Sequence, residues 1–234
     1  MLYLIGLGLN HQSISKQGLE IVKRCKKIYL ENYTVELPYS QGAIEELIGK
    51  KIFIADREFT EGFEIIDEAV RGDVALLVYG SPLTATTHIT LLEEAKKSRI
   101  KVKVIYNASV FDAVAETGLQ VYKFGKIASM PKFDAESYME VVKANLGIKA
   151  HTLILIDIGM NFNTAVGRLA KDFLKFNVKL DKIVVCSRLG TDGSKIYYGA
   201  VDDLGKLEIR APFCFIIPSN LHFLEKEVLE KFKI

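Results

Sequence analysis

Three short segments in the first half of the chain carry glycine and hydroxyl residues directly after strand-like apolar runs. They are residues 6–9, 80–84 and 107–110, which read Gly-Leu-Gly-Leu, Gly-Ser-Pro-Leu-Thr and Asn-Ala-Ser-Val. In an open α/β sheet, ligands bind beyond the carboxyl ends of the strands, where glycine lets the backbone approach and hydroxyls such as Ser81 and Thr84 can hydrogen-bond. The pattern indicates a small-molecule site, although an ordinary helix start capped by Ser81 would also explain the second segment.

The first of these segments begins G-x-G after a strand, which invites comparison with the dinucleotide-binding fingerprint G-x-G-x-x-G. That fingerprint needs a third small residue at position 11, so that the helix packs closely on the strand, and His11 stands there. The dinucleotide interpretation therefore fails. A tight turn that needs positive φ at a glycine is the simpler alternative.

Two further positions stand out in the second half of the chain. Segment 218–222, Pro-Ser-Asn-Leu-His, follows a strand-like run and opens the last helix, although a lone histidine such as His222 is more often a surface residue. Asp157 lies inside the apolar run Leu-Ile-Asp-Ile at 155–158. Because burying an unpaired carboxylate is costly, we expect Asp157 to have a hydrogen-bonding partner or to face a cleft.

The elements that must position these residues alternate regularly in the first half. Strands are predicted at 2–5, 27–30, 52–54, 74–79 and 102–105. Helical spacing of apolar residues predicts helices at 15–26, 43–48, 63–71 and 91–98. Buried apolar strands separated by helices are typical of a mainly parallel sheet with helices on both faces, so the fold class is α/β.

The second half has a different character. Helices are predicted at 138–146, 164–176 and 221–232, and strands at 151–158, 183–186, 194–201 and 213–217. Strands that follow one another without intervening helices predict a mixed α+β sheet with antiparallel pairing. A turn signal at 106–109 places the boundary near 105–112, and we predict an N-terminal lobe at 1–108 and a C-terminal lobe at 109–234.

Composition narrows the possible partners. The chain has 234 residues, with 31 Lys and Arg against 29 Asp and Glu, and a formal net charge of +2. Without a basic bias, nucleic acid is not expected as the main partner. No apolar run approaches the roughly 18 residues of a transmembrane helix, and residues 1–9 read as strand and turn rather than signal peptide. We therefore expect a cytoplasmic protein with no membrane partner.

The three cysteines are widely spaced, and two of them, Cys186 and Cys214, lie inside apolar runs. Buried thiols are the simplest interpretation, because nothing here resembles a zinc motif or a disulfide framework. No metal is expected.

Several segments together resemble the diphthine synthases, a group within the tetrapyrrole-methylase-like family. The matching segments run in order along nearly the whole chain: 4–9, 83–88, Thr-Gly-Leu-Gln-Val-Tyr-Lys-Phe-Gly at 117–125, 151–158, 201–204 and 218–222. The run at 117–125 is far more specific than any glycine turn.

The resemblance implies a fold, an activity and partners. Such proteins are homodimers of a two-lobed fold, with S-adenosylmethionine folded in the cleft between the lobes and S-adenosylhomocysteine as its product. They methylate the amino group of a 3-amino-3-carboxypropyl-histidine on translation elongation factor 2, in diphthamide biosynthesis. Archaeal enzymes, the type that this chain resembles most, add three methyl groups to give diphthine, and eukaryotic relatives add a fourth on the carboxylate.

The resemblance also implies site residues, carried over by motif. The donor-binding candidates are Leu9, Ser81, Thr84, Ser109, Val110, Ile156, Tyr198 and His222. Glu31, Tyr33 and Arg57 match segments that would face the substrate, although a solvated surface is the plainer interpretation of Arg57. The group that takes the amine proton stays open, since a carboxylate, a histidine or water could do so.

One position departs from the family. Its members usually have Gly-Asp-Pro-Leu-Val where this chain has Gly-Ser-Pro-Leu-Thr at 80–84. An aspartate could pair with the cationic end of the donor, whereas Ser81 can only hydrogen-bond, a loss of about 1–2 kcal/mol. Two alternatives therefore stay open: a methylase of the same fold that acts on a corrin or porphyrin precursor, and a non-catalytic donor-binding relative.

Overall fold

The computed structural model describes residues 1–234, and the chain divides into two compact units, Met1–Val110 and Phe111–Ile234. Each unit contains one five-stranded sheet. The α/β fold class predicted from the sequence is confirmed.

The first unit alternates strands and helices. Its strands are β1 (Leu2–Gly6), β2 (Lys27–Glu31), β3 (Phe53–Ala55), β4 (Val74–Val78) and β5 (Val102–Ile105). Its helices are α1 (Lys16–Arg24), α2 (Gln41–Ile48), α3 (Arg57–Glu61), α4 (Glu64–Val70) and α5 (Ile89–Lys97). The strands lie in the order β3-β2-β4-β1-β5, and all neighbours are parallel, as predicted.

Both faces of this sheet are covered, which explains its nearly continuous apolar strands. Leu4 and Leu76 are paired in register and belong to the core on one face, whereas Ile5 and Leu77 belong to the core on the other. All four side chains are fully buried. Burial of a leucine or isoleucine side chain contributes about 1.5–3 kcal/mol, so these central strands fix the frame from which the turns project.

The second unit holds a mixed sheet in the order β6-β7-β10-β8-β9, whose first pair is parallel and whose other neighbours are antiparallel, as predicted. Its strands are β6 (Ala128–Met130), β7 (Thr152–Ile156), β8 (Ile183–Ser187), β9 (Lys195–Gly199) and β10 (Phe213–Ile217). The helices that follow α5 are α6 (Val110–Ala113), α7 (Ser137–Gly147), α8 (Phe162–Lys175), α9 (Val201–Leu204) and α10 (Phe223–Glu230), with two 3₁₀ turns at Val114–Thr117 and Val121–Lys123.

Several short elements were not predicted: α3, α6, α9, β6 and the two 3₁₀ turns. The single helix expected at 63–71 is preceded by α3, which Asp56 caps by accepting from the Phe59 amide at 2.8 Å. Gly62 ends α3, and Phe63, at a φ of 67°, separates it from α4. The strand β6 was not predicted, because three residues are too few to show an alternating pattern.

The three cysteines are buried and free, as expected, and Cys186 and Cys214 face each other in register between β8 and β10. Among the helices, none combines the length and the apolar character that crossing a bilayer requires.

Candidate functional site

The carboxyl ends of β1 and β4 lie side by side, and their glycine turns are hydrogen-bonded to each other. The Gly80 amide donates to the Gly8 carbonyl at 2.9 Å, and the Gly8 amide donates to the Gly80 carbonyl at 3.1 Å. Both glycines have positive φ, 71° at Gly8 and 72° at Gly80, which confirms the tight-turn interpretation. We call segments 6–9, 80–84 and 107–110 the strand-end turns.

Asn107 attaches the third strand-end turn to the first. Its side-chain nitrogen donates to the carbonyls of Gly6 at 3.0 Å and Ser13 at 2.9 Å. Its side-chain oxygen accepts from the Ala108 amide at 2.8 Å. A Cβ atom on Gly6 would lie 2.6 Å from the Gly80 carbonyl oxygen. Only glycine therefore fits at position 6, and the three turns form one rigid surface.

Five of the predicted donor-binding residues lie on this surface. They are Leu9, Ser81, Thr84, Ser109 and Val110. Leu9, Ser81 and Ser109 are almost entirely buried, and a Cβ atom on Gly80 would lie 3.6 Å from Ser109. The structure brings these five residues together at the carboxyl end of the parallel sheet.

The polar groups of the strand-end turns are hydroxyls and backbone groups that can hydrogen-bond an organic ligand, and the chain has no group of three or more His, Cys, Asp or Glu side chains that could hold a metal ion. The hydroxyls of segment 80–84 are those of Ser81 and Thr84. The Thr86 hydroxyl, just after the segment, donates to the Pro82 carbonyl at 2.8 Å and so holds the turn. Beside the turns, the Tyr39 ring lies 6.2 Å from the ring of Tyr79 and 5.7 Å from that of His11. The Tyr39 hydroxyl is buried and has no hydrogen-bond partner.

Glu31, one of the substrate-facing candidates, is fully buried at the end of β2. Its carboxylate accepts from the amides of Tyr33 and Thr34, both at 2.7 Å, and from the Thr34 hydroxyl at 2.6 Å. These three bonds occupy both carboxylate oxygens. Glu31 therefore shapes the turn that presents Tyr33 and is not exposed toward a substrate.

Tyr33 contacts a buried histidine that we did not single out as a site residue. The Tyr33 hydroxyl lies 3.3 Å from Nε2 of His88, and the two rings are perpendicular. Nδ1 of His88 lies 2.9 Å from the carbonyl oxygen of Pro82, in the middle of a strand-end turn. In the sequence, a histidine directly before a helix looks like a cap, and nothing there indicates that it folds back on the turn.

Arg57, the third substrate-facing candidate, lies on α3 above the same tyrosine. Its guanidinium carbon is 5.1 Å from the centre of the Tyr33 ring, and one of its nitrogens is 3.6 Å from the carboxylate of Glu61. The Thr87 hydroxyl donates to that carboxylate at 3.1 Å. α3 is thereby linked to the segment that follows β4, and Tyr33 lies at the junction.

The second-unit candidates do not form one patch. Ile156 is the last residue of β7, while His222 follows β10, which runs antiparallel to β7. The Ser219 amide donates to His151 at 2.9 Å, so the segment that leads to His222 lies beside the beginning of β7. Ile156 and the start of this segment are separated by the length of the strand, about 13 Å at 3.3 Å per residue.

Tyr198 is held in the structural core of the second unit. Its side chain is buried under Lys182, whose ammonium lies 4.9 Å from the ring centre. Its backbone accepts from the Ile234 amide at 3.2 Å and donates to the Phe232 carbonyl at 2.8 Å. The neighbouring Tyr197 points to the opposite face of β9.

A cavity of about 650 Å³ lies on the Tyr197 side of this unit. Its lining includes Ser187 and Arg188 at the end of β8, the segment 207–210, and residues 161–163 at the start of α8. None of the predicted donor-binding residues lines it.

Asp157, which follows β7, is only partly buried, and its carboxylate has hydrogen-bonding partners. Its two carboxylate oxygens accept from the amides of Lys132 at 3.1 Å and Ile158 at 3.0 Å. The carboxylate therefore closes a backbone turn, as the cost of burying it unpaired led us to expect.

The specific run at 117–125 belongs to a network around the buried carboxylate of Glu225. Glu225 accepts from the backbone amides of Gln120 at 2.9 Å and His222 at 2.7 Å, and it is paired with the ammonium of Lys123. Nε2 of His151 lies 3.1 Å away and donates to the same carboxylate, because its Nδ1 accepts from Ser219. We call these five residues the Glu225 network: Gln120, Lys123, His151, His222 and Glu225.

The Glu225 network shifts the protonation of its members. Burial alone would raise the pKa of Glu225, but hydrogen bonds from Lys123, the two backbone amides and His151 hold that pKa at about 2. Burial lowers the pKa of His151, and the Glu225 carboxylate opposes this shift only in part. The network thus combines a neutral His151 with the ion pair of Lys123 and Glu225. Together they fix the beginning of α10, so the run at 117–125 helps to hold His222 in place.

Comparison with known proteins identifies the family. Residues 1–205 match the family described as Tetrapyrrole (Corrin/Porphyrin) Methylases. The diphthine synthase of Methanocaldococcus jannaschii is 38% identical, over 98% of each chain. The diphthine methyl ester synthase of Schizosaccharomyces pombe is 35% identical, over 100% of this chain and 95% of the relative.

Solved structures agree with these sequence matches. A crystal structure of diphthine synthase is 33% identical and has a TM-score of 0.91, over 99% of this chain and 95% of that chain. Its similarity covers both the parallel and the mixed sheet, which confirms the two-lobed fold that the sequence resemblance implied. The chain therefore belongs to the tetrapyrrole methylases and, within them, to the diphthine synthase family of diphthamide biosynthesis, and it is a methyltransferase.

Proposed function

We propose that this methyltransferase uses S-adenosylmethionine to methylate the amino group of 3-amino-3-carboxypropyl-histidine on translation elongation factor 2. The observation that carries the proposal is the convergence of three glycine and hydroxyl turns at one end of a parallel sheet, in a chain whose full-length relatives are named diphthine synthase.

The residues of the strand-end turns have separate tasks in holding the donor. The positive-φ glycines Gly8 and Gly80 let backbone groups approach it, and Ser81 and Thr84 offer hydroxyls to its polar atoms. Leu9 and Val110 exclude water with apolar surface. S-adenosylmethionine supplies an electrophilic methyl group when bound, so the protein has only to position the acceptor, keep water away and remove the amine proton.

The second unit contributes further donor contacts in this proposal. Ile156 offers apolar surface at the end of β7, and His222 offers an exposed imidazole at the beginning of α10. Tyr198 could reach a ligand only after Lys182 and the C-terminal residues move, because its ring lies under Lys182 and its backbone is hydrogen-bonded to Phe232 and Ile234.

We propose that the reaction ends at the trimethylated product. A quaternary nitrogen has no lone pair left, so nitrogen methylation must stop there. The relatives include both diphthine synthases and diphthine methyl ester synthases at similar identity, 38% and 35% in the two cited above. The number of methyl groups on the product, three or four, therefore distinguishes a diphthine synthase from a diphthine methyl ester synthase.

The assembly and the location are part of the same proposal. We propose a cytoplasmic homodimer, because the acceptor is a translation factor and because large apolar side chains remain uncovered on this chain. Phe53 and Ile54 on the edge strand β3 are 52% and 46% exposed, and Phe223 is 75% exposed. A dimeric mass by light scattering at micromolar concentration would support this, and a monomeric mass would contradict it.

Mass spectrometry of elongation factor 2 from cells that lack this protein tests the proposed function. We expect the aminocarboxypropyl-histidine to accumulate without methyl groups, and the wild-type gene to restore three. Normal modification in the deletion strain would contradict the proposal. Methyl transfer to a porphyrinogen would favour instead a corrin or porphyrin methylase, the activity in the family's description.

A further inference from the structure

A hydrogen-bonded chain leads from the strand-end turn at 80–84 to the hydroxyl of Tyr33, a half-buried residue. Pro82 accepts at its carbonyl oxygen from Nδ1 of His88 at 2.9 Å, and Nε2 of His88 lies 3.3 Å from the Tyr33 hydroxyl. His88 is 1% exposed, so its ring nitrogens hydrogen-bond to the protein and not to bulk water.

The Pro82 carbonyl fixes which nitrogen of His88 carries the proton. A carbonyl oxygen can only accept a hydrogen bond, so Nδ1 must donate, and Nε2 of the neutral ring is left with a lone pair. The Tyr33 hydroxyl then donates to Nε2. This places a proton acceptor behind a hydroxyl, the arrangement by which a histidine activates a neighbouring group.

The other charged groups that face Tyr33 cannot serve as its proton acceptor. Glu31 accepts three hydrogen bonds from residues 33 and 34, and Glu61 is engaged by Arg57 and Thr87. Burial raises the pKa of Tyr33, and these two carboxylates raise it further, so the hydroxyl keeps its proton at neutral pH. Nε2 of His88 is the acceptor aligned with it.

We propose that Tyr33 and His88 together remove the proton from the acceptor amine, with Tyr33 as the catalytic residue that touches the amine and His88 as the positioning residue behind it. The ammonium proton moves to the Tyr33 oxygen while the hydroxyl proton moves to Nε2 of His88. The imidazole becomes imidazolium, and the lone pair left on nitrogen forms the new bond to the methyl carbon as the carbon–sulfur bond breaks. This inference rests on the proposed function.

The pair must work repeatedly. Each methylation short of the third leaves a protonated amine, so a proton has to be removed before every attack. Between turnovers the imidazolium returns its proton through Tyr33 to water. Arg57, 5.1 Å from the centre of the Tyr33 ring, stabilises the negative charge that builds on the phenol oxygen during transfer.

The experiment measures kcat for methyl transfer to modified elongation factor 2 as a function of pH, together with calorimetric binding of S-adenosylhomocysteine. The decisive variants are Tyr33→Phe, which removes only the hydroxyl, and His88→Asn, whose amide nitrogen can replace Nδ1 as the donor to Pro82 but which has no group to accept a proton. Tyr3→Phe is the matched control, because its hydroxyl contacts only the sulfur of Met1.

We expect both decisive variants to lower kcat by about 100-fold, with KM for the factor and affinity for S-adenosylhomocysteine within about twofold of wild type. The double variant should be no slower than the slower single variant, since the two residues act in series. In both variants, kcat should depend on pH only through the fraction of free amine in solution, because no protein group takes its proton.

Three outcomes would overturn the inference. A kcat and pH profile near wild type in Tyr33→Phe or His88→Asn would show that the amine proton goes elsewhere. Loss of S-adenosylhomocysteine binding in His88→Asn, in parallel with kcat, would show that His88 only supports the turn. A wild-type enzyme that binds S-adenosylhomocysteine but does not methylate the factor would refute the proposed function first, before any variant is compared.

Discussion

The strand-end turns of the first unit and the Glu225 network of the second are both built from buried polar groups, but they use them differently. In the Glu225 network the donors share one carboxylate, and only the exposed imidazole of His222 remains for a ligand. In the strand-end turns, backbone bonds between Gly8 and Gly80 hold the loops together, and the Thr84 side chain stays partly exposed. The most specific motif of the chain, the run at 117–125, therefore has a structural role. The less specific glycine turns form the candidate site.

Removal of the Glu225 carboxylate should have the largest effect on stability. Glu225→Ala leaves the amides of Gln120 and His222 without their acceptor and leaves the ammonium of Lys123 without its counter-ion, and we expect a loss of about 3–5 kcal/mol in the free energy of unfolding. Urea titration measures this. Glu227→Ala, an exposed carboxylate on the same helix, should change it by less than about 0.5 kcal/mol. Equal stability of the two variants would mean that the network is dispensable.

Acid should weaken the same network in the wild-type protein. The folded pKa of Glu225, about 2, lies below the ordinary value of 4.5, so its contribution is complete above pH 4.5 and is lost as the pH falls toward 2. The depressed pKa of His151 acts in the same direction, because the unfolded chain takes up a proton first as the pH falls through the ordinary value of 6.5.

Unfolding free energies between pH 7 and pH 3 check this, with an expected decrease of about 2 kcal/mol from Glu225. Glu225→Gln should flatten the lower part of the curve. An equally steep curve in that variant would assign the acid sensitivity to other groups.

Closing the space at Gly6 should damage the strand-end turns more than the fold. A methyl group there would lie 2.6 Å from the Gly80 carbonyl oxygen, so Gly6→Ala must push the two turns apart. We expect calorimetric affinity for S-adenosylhomocysteine to fall more than about tenfold, with a stability loss of about 1–3 kcal/mol. Gly167→Ala, in helix α8 with open space at its Cβ, should leave affinity unchanged and stabilise the chain slightly. If Gly6→Ala binds S-adenosylhomocysteine with unaltered affinity, the strand-end turns do not form the donor site.

The smallest expected effect concerns Ser81, where the family usually has aspartate. Ser81→Asp should tighten S-adenosylmethionine binding by about 1 kcal/mol, or about fivefold, because a carboxylate would face a cationic ligand. Ser81→Asn, similar in size but uncharged, is the control and should not reproduce the gain. Unchanged or weaker affinity by calorimetry would show that the pocket is adapted to the hydroxyl.

Local patterns in the sequence were enough for nine of the ten strands and for the strand-end turns. The continuous apolar run of β4 predicted a strand buried on both faces, and the glycines after β1 and β4 predicted tight turns. Both properties depend on residues close together in the chain, where periodicity and backbone sterics act.

Such local patterns could not predict contacts between residues far apart in the chain. Glu225 binds residues 102 and 105 positions earlier, and Tyr33 meets His88 from 55 positions away. In the sequence, Glu225 looks like an ordinary helix carboxylate, and His88 looks like a cap. Their roles follow from which loops the sheets bring together, and β6 was missed because its pairing with β7 defines it better than its three residues do.

Transfer of labelled methyl groups by the purified protein tests the central claim most directly. The acceptors to compare are elongation factor 2 with aminocarboxypropyl-histidine, the unmodified factor and uroporphyrinogen. We predict label on the modified factor alone, up to three methyl groups on its nitrogen, at a rate that rises with pH as the amine loses its proton. Equal labelling of the unmodified factor, or label on uroporphyrinogen, would contradict the proposed substrate.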